Sequence, residues 1–237
     1  MTRRRWIADE SSENSAALTG GHADHLVRVL RARVGQEFDI VAGDRVRRGR
    51  VVTIASDRVE FDLGGEVRTS ATADITLLLS IFKFDRLEWA IEKCTELGVA
   101  RIIPVFARRT DAHLVSAAAK RVDRWRKIAL QAAEQSRRLS PPEVETPRKL
   151  KDAIANLDGL RIVLAETEQE TQLRDALSAA EAQKVCLAIG PEGGWTEDEL
   201  AWFQQAKWLS ATLGPTILRA ETAAIAAVAI TLSSLSM

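Results

Sequence analysis

Three segments in the last third of the chain follow directly on apolar runs that read as strands, and the second and third of them combine glycine, proline and charge. They are Leu164-Ala165-Glu166-Thr167, Ile189-Gly190-Pro191-Glu192-Gly193-Gly194-Trp195, and Leu213-Gly214-Pro215-Thr216-Ile217-Leu218-Arg219-Ala220-Glu221-Thr222-Ala223. Glycines at the carboxyl ends of strands let backbone amides and carbonyls approach a ligand closely. The second segment lacks the lysine and Ser/Thr of a phosphate-cradling loop and the GxGxxG spacing. Its Glu192 also repels phosphate and suits a ligand with a cationic centre. In the third segment Arg219 and Glu221 precede a helix apolar enough to require burial, so both need partners. On the residues alone two plainer readings stay open: a strand–turn–helix joint for the second loop, and an internal Arg–Glu pair for the third.

Other chemistry is sparse. Cys94 and Cys186 sit in apolar stretches and read as reduced, buried thiols, too few for a disulfide framework or a cysteine-based zinc site. His22-x-x-His25 has no further ligands clustered near it, so no metal is expected. Of six tryptophans, Trp89, Trp125, Trp202 and Trp208 fall in helix or strand patterns as core or interface positions, and Trp195 borders the glycine turn.

The elements that must carry these loops fall into two expected domains, 1–70 and 74–237. The first reads as mostly β, with strands Glu37–Ala42, Arg45–Ile54 and Arg58–Leu63 and a short helix from His22 to Leu30; Gly64-Gly65 to Thr72 reads as a linker. All its basic residues are arginine, which suggests a small barrel with an arginine-rich loop. The second alternates strand and helix. Strand Ile75–Ile81 precedes a helix capped by Asp85 with Glu88 and stopped by Gly98. Strand Arg101–Phe106 leads into one long helix, about Ser116 to Leu139. Strands Arg161–Ala165, Val185–Ile189 and Trp208–Leu213 follow, each with a helix, the second capped by Thr196 with Glu199. Such alternation implies an α/β fold with a mostly parallel sheet.

The chain is 237 residues long with a formal net charge of zero, yet segments 1–70, 71–100, 101–151 and 152–237 carry +1, −2, +8 and −7. The basic block suits a polyanion. No apolar run approaches the ~20 residues of a membrane span, and the basic N-terminus has no apolar stretch behind it, so a cytoplasmic protein is expected.

The motif Gly190-Pro191-Glu192-Gly193-Gly194, followed by Leu213-Gly214-Pro215-x-x-Leu218-Arg219-x-Glu221-Thr222-Ala223, resembles the RsmE family of SPOUT-class methyltransferases. Lys83-x-Asp85-Arg86-x-Glu88, Glu92-Lys93-Cys94-Thr95-Glu96-Leu97-Gly98-Val99, Glu134-Gln135-Ser136-x-Arg138 and His25-x-x-x-Val29-Leu30-Arg31 extend the resemblance over essentially the whole chain. Arg137 and Phe84 depart from the family pattern, each standing where a small residue is usual.

The resemblance implies a PUA-like RNA-binding β-barrel followed by a SPOUT-type α/β domain whose trefoil knot and cofactor site lie within 161–237. It implies a homodimer that uses S-adenosylmethionine to methylate N3 of a uridine in 16S ribosomal RNA of the small ribosomal subunit. Cofactor contacts would come from Leu164, Glu166, Ile189, Gly190, Pro191, Glu192, Gly193, Leu213, Gly214, Leu218, Glu221, Thr222 and Ala223, with Arg219 as the catalytic residue. RNA contacts would come from Arg28, Arg31, Arg47, Arg48, Lys83, Arg108, Arg109, Arg137 and Arg138. Glu221 and Glu134 are candidate bases for the N3 proton. Two alternatives stay open: a related enzyme acting on a transfer RNA ribose 2′-hydroxyl, and a non-catalytic RNA-binding assembly factor.

Overall fold

The computed structural model describes residues 5–43, 45–67, 74–136, 138–179 and 182–235. The chain divides into two compact units, one of residues 1–71 with 133–140, the other of 72–132 with 141–237.

The first unit contains β1 (Arg5–Ile7), β2 (Glu10–Ser11), β3 (Ser15–Thr19), α1 (Gly20–Asp24), β4 (Glu37–Ala42), β5 (Arg45–Ile54) and β6 (Arg58–Glu66). Its six strands pair in the order β1-β4-β5-β6-β3-β2, antiparallel except β1 with β4. Ile7 and Glu10 thus lie at opposite edges of the sheet although three residues apart in sequence. Three residues span at most ~11 Å, whereas six flat strands would separate the edges by ~24 Å. The sheet must therefore curl until its edges approach. Trp6, Leu18, Leu26, Ile40, Val51 and Phe61 fill its interior.

The expected helix from His22 is present but starts at Gly20, and its second half, His25–Val29, is a π-helical turn. Strand β6 runs through Gly64-Gly65 to Glu66, so those glycines extend a strand and do not begin a linker. Strands β1, β2 and β3 escape a sequence reading because each is short, and only the neighbouring strands give them a reason to be extended.

The second unit runs β7 (Asp74–Ser80), α2 (Phe84–Leu97), β8 (Arg101–Phe106), α3 (Ala112–Ala118), α4 (Val122–Gln135), β9 (Glu143–Val144), β10 (Arg148–Lys149), α5 (Leu150–Ile154), β11 (Leu160–Leu164), α6 (Leu173–Ser178), β12 (Lys184–Ile189), α7 (Glu197–Gln205), β13 (Leu209–Ala211) and α8 (Ala220–Leu235). From Ala133 the last turn of α4 belongs to the first unit. The sheet is parallel throughout, in the order β10-β8-β7-β12-β11-β13, with β9 also on β8. Successive side chains of a strand face opposite ways. Leu77, Leu79, Leu187 and Ile189 accordingly join one core, and Leu78, Cys186 and Ala188 join another on the other face. Burial on both faces is why β7 and β12 read as unbroken apolar runs.

Two expectations fail here. The long helix is two: α3 tightens into a 3₁₀ turn at Ala119–Arg121 before α4 begins, and α4 stops at Gln135. Ala118 and Val122, on either side of that turn, are both buried. Asp85 caps nothing by its side chain; Lys83 is the N-cap of α2 and Asp85 lies in its first turn. Gly98 does end α2 in the left-handed conformation, φ 109°, and Thr196 with Glu199 forms a complete capping box on α7.

Candidate active site

Parallel strands bring the loops after β11, β12 and β13 to one edge of the sheet, where ligands of open α/β folds bind. These loops enclose a cavity of about 890 Å³, also lined by Arg86 and Arg109. Every residue of the candidate cofactor set except Glu221 and Thr222 lines it, and so does Arg219. The additional lining residues include Thr167, Glu168, Gln169, Gln172, Trp195 and Thr212.

Backbone requirements explain much of the wall. The buried Trp195 indole donates its N–H to the Leu164 carbonyl at 3.0 Å and packs edge-on against Phe203, tying the loop after β12 to the end of β11. A Cβ on Gly190 would sit 3.3 Å from that indole, tighter than ordinary packing, so glycine lets the chain pass there without displacing the ring. Gly214 holds φ at 129°, which L side chains resist, and its N–H lies 3.3 Å from Thr212 Oγ1. Glu199 is fully buried; it completes the cap of α7 and also accepts the Arg108 backbone N–H at 2.8 Å.

Charges on the wall are arranged in named pairs. Arg86 Nη1 donates to Glu192 Oε1 at 2.7 Å, and its Nε lies 3.8 Å from Glu221 Oε1. Arg109 donates to the Gly193 carbonyl and, at 3.4 Å, to that of Trp195. Backbone N–H groups of Thr171 and Glu170 hold the Glu168 carboxyl below its ordinary range. Arg219 makes no ion pair among the described residues. The internal pair of the plainer reading is absent: Glu221, buried, has Arg86 as its cation. Thr222 points outward, exposed.

The remaining candidates scatter. Lys83 is exposed ahead of α2. Arg108 pairs with Asp198 at 3.1 Å and lies over the Trp202 ring. In the first unit, Arg47 donates to the carbonyls of Gly64, Leu63 and Glu13. Arg48 pairs with Asp39 at 3.1 Å and Arg28 with Asp24 at 2.5 Å, while Arg31 is exposed with φ 53°. Burial draws the Arg138 guanidinium down to about 10. Arg137 lies outside the described residues. Glu134 also belongs to the first unit. It lies 3.2 Å from His22 Nε2, whose Nδ1 faces Asp9 at 3.0 Å, and burial raises its carboxyl. Neither candidate base lines the cavity.

Of the tryptophans, Trp6, Trp125, Trp195 and Trp208 are buried, but Trp89 is half exposed on α2 and is not core. No group of three potential metal ligands occurs among the described residues, and no helix there is long and apolar enough to cross a membrane.

Arg86 at the cavity is what sequence reasoning missed. Its motif was visible, but its location depends on β7 and β12 being neighbours in parallel register, Leu79 opposite Ile189. That adjacency sets the start of α2 beside the Gly190 loop, and no local pattern reports it.

Residues 69–232 match the model of the RNA methyltransferase domain family. A ribosomal RNA small subunit methyltransferase E of Rickettsia conorii is 32% identical over 234 residues, covering 95% of this chain and 93% of that protein. The crystal structure of a ribosomal RNA small subunit methyltransferase E from Neisseria gonorrhoeae, bound to S-adenosylmethionine, is 30% identical with a TM-score of 0.85, covering 96% of both chains. A methyltransferase structure from Legionella pneumophila in complex with the same molecule is 25% identical with a TM-score of 0.86, covering 99% of this chain and 98% of that one. With the cavity at the strand ends and matches over nearly its whole length, the chain belongs to the RNA methyltransferase family.

Proposed function

We propose that this protein methylates N3 of a uridine in 16S ribosomal RNA of the small ribosomal subunit, with S-adenosylmethionine as methyl donor. One observation carries the reading. The three loops predicted to hold a ligand, two of them glycine-bearing, converge on one cavity, and the Neisseria relative of the same fold binds that cofactor. The cavity's volume is within the ~300–1,000 Å³ of small-molecule sites. Its wall suits a cationic ligand: Arg86 is paired and Arg109 faces loop carbonyls, while the Glu166 carboxylate is on the lining.

In this reading the backbone of Ile189, Gly190, Leu213 and Leu218 faces the adenine, and Glu192 and Gly193 face the ribose and methionine parts. When bound, S-adenosylmethionine supplies a methyl group already activated on a sulfonium. What the chain must add is orientation and control of charge on the uridine, whose N3 carries a proton at neutral pH. Arg219 is always cationic, so it serves as a stabiliser of the uridine anion, holding a carbonyl oxygen, and not as a base. That Glu221 is not among the residues lining the cavity supports that electrostatic role over base catalysis by it.

The remainder of the reading concerns architecture and partners. The curled sheet of the first unit is a PUA-like barrel that contributes arginines to RNA phosphates. Strand β12 lies between β7 and β11, which both precede it, and β13 lies outside β11; that order supports a knotted crossover within 161–237. The protein acts in the cytoplasm as a homodimer, with α8 at the interface; Ile225, Ile230 and Leu235 on α8 are only partly buried in one chain.

The test is to incubate purified protein with small subunits lacking the modification, plus methyl-labelled cofactor, and to map the label by mass spectrometry. Label on uridine N3 of 16S RNA is the expected result. Label on a ribose 2′-hydroxyl, or none with RNA binding intact, overturns the proposal.

A further inference from the structure

The charged wall of the cavity has an unusual focus. One guanidinium, Arg86 on the first turn of α2, reaches carboxylates on two different loops: Glu192 after β12, at 2.7 Å, and Glu221 at the start of α8, at 3.8 Å. The two carboxylates differ in setting. Glu192 is about a third exposed, whereas Glu221 is 3% exposed and its Oε2 is buried with no hydrogen-bond partner in the structure. A buried carboxylate without a cation is costly, and two facing each other repel. Arg86 therefore sets a cation between the two acid-bearing loops where they close on the same space.

We infer that Arg86 is a positioning residue of the cofactor cavity: it clamps the loop after β12 to the start of α8 and neutralises the carboxylate pair between them. The inference rests on reading this cavity as the S-adenosylmethionine site, and it deepens that reading without adding a catalytic group. Arginine suits the task because its planar guanidinium donates to Glu192 while another face of the same charge stays 3.8 Å from Glu221, an arrangement that a lysine ammonium cannot direct in the same way. Its reach also explains why Glu221, although outside the cavity lining, lies in the same motif as Arg219. Glu221 anchors α8 through Arg86, and α8 begins one residue after Arg219.

Calorimetric titration of S-adenosylmethionine and of its product S-adenosylhomocysteine into the purified chain tests this without any turnover. R86Q is expected to weaken both ligands at least tenfold, and R86K to lie between R86Q and the wild type. The decisive variant is R86Q/E221Q, which removes the stranded charge together with its partner and should recover most of the lost affinity. Thermal melts without ligand control for folding, and if R86Q alone is too unstable to titrate, the comparison of R86K with R86K/E221Q stands in its place. Binding by R86Q within twofold of wild type, or no recovery in the double variant, overturns the clamp. Failure of the wild-type chain to bind either ligand overturns the cofactor reading itself.

Discussion

The curled sheet of the first unit and the parallel sheet of the second both carry arginine and glycine, and they use them in opposite ways. In the first unit Arg47 is bonded to three backbone carbonyls and Gly49 makes room for Ile40, so both residues hold the sheet together. In the second, Gly190 and Gly214 shape the wall of a cavity, and Arg219 faces it without an ion pair among the described residues. Residue type therefore does not separate structure from function here. Position does: strand interiors consume these residues, and loops beyond parallel strand ends leave them facing a ligand.

The largest effect expected from this contrast is at Arg219. Replacing it by alanine should lower turnover about 100- to 1,000-fold, the usual scale for a single electrostatic stabiliser, with cofactor affinity within about threefold. Single-turnover methylation and cofactor titration measure the two quantities separately. Equal losses in both would make Arg219 a cofactor clamp and blur the distinction from Arg86.

The two glycines give a matched pair. In Gly49→Ala the new Cβ would lie 2.3 Å from Ile40 Cγ1, inside a packed sheet, so the first unit should lose about 2–3 kcal/mol in chemical denaturation. Cofactor binding should not change. In Gly190→Ala the approach is 3.3 Å to an indole held by Leu164 and Phe203, a milder misfit on the cavity wall. There the expectation is about tenfold weaker cofactor binding with a smaller stability loss. Reversal of the two patterns would break the comparison.

How much of this could be read from the chain follows the same division. The cavity loops after β12 and β13 were legible because glycine, proline and an apolar strand fix backbone geometry locally. The capping box at Thr196 and the stop at Gly98 were legible for that reason too. Arg86 was not, since its role depends on which strands are neighbours. Nor were β1 and β2, which exist because a curled sheet has edges to complete. Arginines were the least legible: nothing in the sequence separates Arg47, bonded to three carbonyls, from Arg28, three-quarters exposed beside Asp24.

That pair supplies the smallest but most discriminating prediction. Arg47→Ala strands acceptors on Glu13, Leu63 and Gly64, so it should cost the first unit about 1–2 kcal/mol, the range for bonds to a charged donor that is partly solvated. Arg28→Ala removes one exposed i,i+4 ion pair, worth ~0.3–0.5 kcal/mol, and should lower the melting temperature by no more than a few degrees. If the first unit grips RNA through its exposed arginines, Arg28→Ala should instead weaken 16S RNA binding a few-fold. It should also reduce the slope of log affinity against log salt by about one, the signature of a single lost phosphate contact. Arg47→Ala, measured at a temperature where the unit remains folded, should leave that slope unchanged, because its guanidinium already faces the chain's own carbonyls. A salt slope lowered by Arg47→Ala and untouched by Arg28→Ala would show that pairing within one chain is a poor guide to which arginines meet the RNA.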